Sequence, residues 1–181
     1  MAGEDRARWD RRHATADGLP EPAPPDALSG HQDLLPPAGR ALDVACGRGA
    51  AAVWLAGRGL AVDAVDVSPV ALRTGAGLAA AHRVAQAVRW WHHDLDDGLP
   101  PGLAGAYQVV VCQRFRDPRR YPDLAGALAP GGLLAITVLS RVGGDGPFRA
   151  EPGELAAAFS GLRVLAHREG DGEASLLARA P

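Results

Sequence analysis

The sequence predicts an α/β fold: a doubly wound, seven-stranded sheet, mostly parallel, with an antiparallel hairpin at its C-terminal end. Three observations predict it. From Ala41 onward, short apolar runs alternate with Ala-rich segments of high helix propensity, the pattern of parallel strands joined by crossover helices. The first of these runs, Arg40 to Ala52 (RALDVACGRGAAA), passes from strand to helix through Gly47 and Gly49. The chain then closes on two strand-like runs joined by Glu169-Gly170-Asp171-Gly172, a hairpin signal. At 181 residues there is material for one domain with a sheet covered by helices.

Residues 1–39 differ in kind from the rest and read as an N-terminal arm or lid. Ala2 to Ala16 is polar and predicts a short helix carrying Trp9. Pro20, Pro22, Pro24 and Pro25 bar regular structure as far as Asp26. Asp26 to Leu35 predicts one helix, ended by Pro36 and Pro37. An arm laid on the domain and a leader without order both fit this stretch.

Residues 40–181 carry the regular pattern. The first strand is Ala41 to Ala45, and the helix Ala50 to Ala56 is closed by Gly57 and Gly59, with Trp54 expected in the core. Leu60 to Val67 is the second strand. Ser68 then caps a helix with proline at its first position, running to about Val84 and weakened by Gly75 and Gly77. Val88 to His92 and the continuous β-branched run Tyr107 to Cys112 are the third and fourth strands, the latter buried on both faces. Asp117-Pro118 starts a helix to Leu128, stopped by Pro130-Gly131-Gly132, and Leu133 to Leu139 is the fifth strand. A helix from Gly153 to Phe159 and strands Leu162 to Arg168 and Ala174 to Ala180 complete the chain.

Composition narrows the function classes. Net charge is −2, and no basic tail or aromatic-laced basic cluster points to nucleic acid. All 19 basic residues are arginines, which reads as genome composition. Cys46 and Cys112 have neither zinc nor disulfide spacing, so a reducing cytoplasmic compartment is expected. No run approaches the ~20 apolar residues of a membrane span, and the charged start MAGEDRARWD is no signal peptide.

The glycine turn is the chemically informative stretch. Its glycines bend the chain sharply and let backbone amides approach a ligand where a side chain would clash, as in nucleotide sites. Ligands of such sheets bind outside the carboxyl ends of the strands, so carboxylates on that rim matter most. Asp66 closes the second strand 19 residues after Gly47, the spacing at which a carboxylate accepts from ribose hydroxyls. Asp94 lies just past the third strand and reads equally as an ordinary turn residue. Asp43 lies inside the first strand, where burial without a partner is costly. Gly47-x-Gly49-x-x-Ala52 also satisfies a dinucleotide fingerprint, which keeps an NAD(P)-dependent reductase as the alternative. Against it stand the little chain left for a substrate domain, the negative charge of Asp43 beside the loop, and the terminal hairpin.

Asp43-Val-Ala-Cys-Gly-Arg-Gly49, Asp66, Asp94 and Leu128-Ala-Pro-Gly-Gly132 together resemble the class I S-adenosylmethionine-dependent methyltransferases, over Arg40 to Pro181. Trp9-Asp-Arg-Arg12-His13 and Pro152-Gly-Glu-Leu155 resemble a smaller branch, the small-molecule enzymes near the tellurite-resistance and thiopurine methyltransferases. Ala45 stands where many members have the first glycine, and His13 where the branch usually has tyrosine. The resemblance implies a Rossmann-like fold and S-adenosyl-L-methionine as cofactor. It implies that Asp43, Ala45, Cys46, Gly47 and Gly49 line the methionine end, with Asp43 reaching the ammonium directly or through water. Asp66 would take the ribose hydroxyls and Val67 pack on adenine, while Asp94 accepts from the exocyclic amine with Leu95 beside the ring. Cys112 would offer backbone contacts, a role its residue type shares with a plain buried position. Trp9 and Arg12 would close over the cofactor.

Methyl transfer asks the protein mainly for alignment in a dry pocket. His13, His31, His92 and His93 are the candidate bases, none singled out as catalytic, and no metal site is expected, since the adjacent His92 and His93 face opposite ways. Cys112-Gln-Arg-Phe-Arg116 lacks the Asn/Asp-Pro-Pro-Tyr/Phe loop of enzymes that methylate planar amino groups, so a small-molecule acceptor is expected. That acceptor would enter between the arm and the loops after the fourth and fifth strands. Gln113 and Arg114 follow the fourth strand and are the candidate acceptor contacts, Arg114 reading also as a solvated charge. A cofactor-binding protein without transferase activity is the third possibility.

Overall fold

The computed structural model describes residues 2–15, 18–103 and 105–181. The chain divides into two compact units, residues 1–24 with 36–102, and residues 25–35 with 103–181.

The first unit opens with helix α1 (Ala2–Ala14), the helix expected around Trp9; Ala16, its expected end, lies outside the described residues. Strands β1 (Gly39–Val44), β2 (Leu60–Asp66) and β3 (Val88–His92) pair in parallel in the order β3-β2-β1. The register sets Asp43 beside Ala64 and Asp66 beside His92, so both carboxylates lie toward the carboxyl ends of these strands. Helix α2 (Ala50–Ala56) packs on β1 and β2, and α3 (Pro69–Ala81) on β2 and β3. Helix α1 packs against α3.

Helix α3 ends three residues before the expected Val84. The Val84 N–H donates to Ala79 O and the Arg83 N–H to Ala80 O, a Schellman motif. Arg83, at φ +61°, takes the left-handed position usually given to glycine. Gly75 has a packing reason. A Cβ there would lie 2.5 Å from Trp90 Cη2, and one on Gly49 would lie 2.6 Å from the same atom. The indole is wedged between loop and helix, and two glycines make the room. Trp54, expected in the core, is only half-buried, with the Arg58 guanidinium 4.4 Å from its ring centroid.

In the second unit β4 (Tyr107–Gln113) pairs in parallel with β5 (Leu128–Leu139). Strands β6 (Arg163–Gly170) and β7 (Glu173–Arg179) form the expected antiparallel hairpin, and the order is β4-β5-β7-β6. Its turn has both central residues left-handed, Asp171 at φ +53° and Gly172 at +79°, as a type I′ turn requires. Seven strands, mostly parallel with an antiparallel C-terminal pair, make the Rossmann-like α/β fold the sequence predicts.

Three expectations fail here for local reasons. Asp26 to Leu35 forms two 3-10 turns, Asp26–Leu28 and Gln32–Leu34, because Gly30 between them sits at φ +79°. The helix expected from Asp117-Pro118 is a 3-10 turn, Pro118–Arg120, followed by α4 (Tyr121–Gly126). Restarting at Tyr121 places Pro122 in a first turn, where its missing N–H costs nothing. Strand β5 begins at Leu128 rather than Leu133 and carries Pro130-Gly131-Gly132 through a register shift opposite Tyr107–Val109. Gly132 is required there, since a Cβ would meet Tyr107 O at 2.7 Å. The expected last helix is the short α5 (Glu154–Ala158). No helix among the described residues is long and apolar enough to cross a membrane.

The wedge yields a test. Gly75→Ala should gain about 1 kcal/mol of helix propensity and lose about 1–3 kcal/mol to overpacking, a net destabilisation in urea unfolding. In a Trp90→Leu background the same substitution should turn stabilising.

Candidate functional site

The glycine turn after β1 is held by backbone hydrogen bonds, within itself and to β2. The Cys46 N–H donates to Val65 O at 2.9 Å and the Gly49 N–H to Cys46 O at 3.0 Å. Ala45, Gly47 and Gly49 are all left-handed, at φ +55°, +54° and +80°. For Ala45 that conformation costs on the order of 1–2 kcal/mol. The two glycines serve different ends. A Cβ on Gly47 would touch only His13 Cε1, at 3.7 Å, so backbone conformation selects glycine there. At Gly49 both a left-handed φ of +80° and the Trp90 ring, 2.6 Å from where a Cβ would sit, call for glycine.

Asp66 joins this turn to the next one. Its Oδ2 accepts the Gly47 N–H at 2.7 Å and its Oδ1 the Ser68 N–H at 2.8 Å. A carboxylate has about four lone-pair positions, so acceptor capacity remains on both oxygens. Burial pushes the Asp66 carboxyl up, against those two hydrogen bonds and the pull of His13.

Asp43 is 2% exposed. The Ala52 N–H, in the first turn of α2, donates to its carboxylate, while Oδ2 has no hydrogen-bond partner among the described residues. Burial and the neighbouring Asp66 push the Asp43 carboxyl up to about 8. Burial and both carboxylates also push the Cys46 thiol well up, which disfavours its thiolate.

The expected adenine-side residues follow on the same rim. The His93 N–H donates to Asp66 O at 3.1 Å, tying the end of β3 to that of β2. Asp94 Oδ1 accepts the Asp96 N–H at 2.9 Å and opens the 3-10 turn Leu95–Asp97, with Leu95 buried. Val67 is half-buried, its carbonyl 3.1 Å from His92 Nε2. On α1, Trp9 stacks with His13 (centroids 5.8 Å apart) and has the Arg12 guanidinium 5.3 Å from its ring centroid. Burial holds the His13 imidazole below its ordinary value against the pull of Asp66.

Cys112, Gln113 and Arg114 belong to the second unit. Cys112 is buried, its thiol 3.5 Å from Phe115 O. Gln113 Oε1 accepts the Asp26 N–H at 2.9 Å, anchoring the 25–35 segment. Arg114 is exposed and left-handed (φ +56°), and its guanidinium pairs with Glu173 at 3.0 Å. Sequence reasoning missed Trp90, although the helix-weakening Gly75 was its signal. It also missed the second role of Ser68, whose hydroxyl donates to Asp10 of α1, a contact without sequence signal.

The raised Asp43 carboxyl makes a stability prediction. Between about pH 4 and 8 the folded chain keeps a proton the unfolded chain has lost, so this group's contribution falls as pH rises through that window. Asp43→Asn has no such proton. Its stability relative to the wild type should rise from pH 5 to pH 8, by on the order of a few kcal/mol, in ligand-free urea unfolding. A difference independent of pH would mean that Asp43 is ionised throughout.

The sequence pattern of the methyltransferase domain family matches residues 41–132. No curated protein matches the chain. Among solved structures, a geranyl diphosphate C-methyltransferase from Streptomyces coelicolor A3(2), in complex with Mg2+, geranyl diphosphate and S-adenosyl-L-homocysteine, superposes with a TM-score of 0.73 at 15% identity. That match covers 99% of this chain and 97% of the other. TehB from Haemophilus influenzae gives 0.72 at 15% identity, over 97% and 67% of the two chains. A SAM-dependent methyltransferase from Geobacter sulfurreducens in complex with S-adenosyl-L-homocysteine gives 0.66 at 21%, over 91% and 75%. At these identities the likeness shows the fold, and the family pattern spans the glycine turn, Asp43, Asp66 and Asp94. The chain belongs to the methyltransferase domain family, as its resemblance to the class I methyltransferases implied.

Proposed function

We propose that this enzyme transfers a methyl group from S-adenosyl-L-methionine to a small-molecule acceptor. The observation that carries the reading is the buried Asp43 Oδ2, which has no donor among the described residues, in a carboxylate whose charge is opposed by burial and by Asp66. A group bringing N–H donors and positive charge satisfies both deficits at once, and the ammonium of the cofactor's methionine end is such a group. A pyrophosphate, the group a nicotinamide dinucleotide would bring to this turn, does the opposite.

The remaining residues fit the rest of the cofactor. Asp66 has acceptor capacity left for ribose hydroxyls, Val67 and Leu95 offer apolar surface to adenine, and Asp94 offers a carboxylate to its amine. Ala45, Cys46, Gly47 and Gly49 shape the turn along the methionine end. Trp9 and Arg12 close over it from α1. When bound, the cofactor would supply an electrophilic methyl group on a sulfonium, with S-adenosylhomocysteine as the leaving group, and the chain's task is alignment and exclusion of water. On the acceptor side we assign Gln113 and Arg114, the guanidinium suiting an anionic oxygen. The geranyl diphosphate of the Streptomyces enzyme is an acceptor of the small class proposed here. A net charge of −2 gives no attraction to nucleic acid, and we place the enzyme in the cytoplasm.

Asp66→Ala should weaken S-adenosylmethionine binding roughly ten- to a hundred-fold by titration calorimetry. Unchanged affinity in a folded variant would remove Asp66 from the site. Labelled methyl transfer should go to members of a panel of small thiols, phenols and oxyanions. Labelling of RNA, DNA or protein alone would overturn the small-molecule reading.

The arm reading has its own test. Because residues 25–35 belong to the second unit and bury Leu28, the removable stretch is shorter than the whole 1–39 segment. Deleting residues 1–17 should leave the chain folded but impair cofactor retention and turnover. Full affinity and activity would make the arm only a leader.

A further inference from the structure

A side-chain pair fastens helix α1 within the first unit. The Ser68 hydroxyl donates to Asp10 Oδ1 at 2.5 Å and accepts the Ala71 N–H at 3.2 Å, so its donor and acceptor functions are both used. Ser68 is fully buried, and its N–H donates to Asp66 Oδ1. The carboxylate assigned to the ribose and the carboxylate that fastens the arm are therefore held by two groups of one residue. Downstream of the helix, the Arg48 guanidinium donates to Gly18 O, tying the next segment to the same glycine turn.

We infer that Asp10 is a positioning residue for methyl transfer, latching α1 over the cofactor through Ser68, with Ser68 linking the latch to Asp66. The inference rests on the arm reading above. Docked in this way, α1 sets His13 beside Gly47 and Trp9 behind His13. Cofactor held beneath the helix leaves only when α1 lifts, and lifting breaks the Asp10–Ser68 bond. Because Ser68 also donates to Asp66, occupancy of Asp66 and docking of the arm are linked, and the linkage is reciprocal: ligand favours the docked arm as much as the docked arm favours ligand.

Asp10 lies on α1, outside the sheet, and is only half-buried, so its loss separates latching from folding of the sheet. With S-adenosylhomocysteine as probe, Asp10→Ala should speed dissociation by about ten-fold with association little changed, as expected for loss of a charge-assisted hydrogen bond. The unfolding midpoint of the ligand-free protein should stay near that of the wild type. Hydrogen-exchange protection of residues 6–14 should rise on adding the probe in the wild type and fail to rise in Asp10→Ala. Ser68→Thr, which keeps the hydroxyl, should behave as wild type. Ser68→Ala and Asp10→Ala combined should be no worse than Ser68→Ala alone.

Additive effects, or Asp10→Ala with a wild-type dissociation rate and wild-type protection, would overturn the latch. If deletion of residues 1–17 still weakened the probe while Asp10→Ala did not, the arm reading would stand and the latch would fall. If neither change affected the probe, both would fall.

Discussion

The first unit turns on the carboxylate of Asp66. The chain leaves β1 and β2 through separate turns, and each must point its amides somewhere. Asp66 gives both a single destination, taking the Gly47 N–H on one oxygen and the Ser68 N–H on the other. The left-handed residues of the first turn and the cap of α3 after the second are thereby set relative to one charged group. Backbone N–H groups of a turn left without acceptors would each cost about as much as a lost hydrogen bond. One buried side chain removes that cost twice and keeps acceptor capacity for a ligand.

Against this stabilising arrangement stands Asp43, buried, beside Asp66, and with one oxygen short of a donor among the described residues. A chain optimised for folding alone would place an apolar or amide side chain there. The retained carboxylate is the kind of local conflict that marks a functional position, because the missing interaction is one a cationic ligand completes. Ala45, holding a conformation glycine adopts more easily, adds a second small conflict two residues on. Binding and folding are in tension along this one strand end.

What the sequence reveals and what it hides divide along the range of the interactions. Helix α2 and strand β3 fall where propensity and periodicity put them, and the Ser68 cap and the Asp171-Gly172 turn follow from local chemistry. Errors arose where one residue outweighed its neighbours: Gly30 breaking a helix, Pro122 restarting one, and Leu128 joining a strand beside Tyr107 instead of ending a helix. In the candidate site, the turn, Asp43 and Asp66 were legible because strand ends and spacing locate them. Gln113 holding Asp26 and Ser68 holding Asp10 were not, since each joins residues 87 and 58 positions apart through side chains of common type.

The indole of Trp90 lies against two glycines that are 26 positions apart, Gly49 and Gly75. Positions 49, 75 and 90 therefore form one packing unit. With the tryptophan in place neither glycine can take a side chain unless the ring shifts, and at Gly49 the left-handed backbone adds its own demand. Glycine at position 49 thus has a packing reason in the ring on the third strand, separate from any ligand contact. Within a glycine-rich loop, then, some of the signature records the packing behind the loop and only the rest the molecule in front of it.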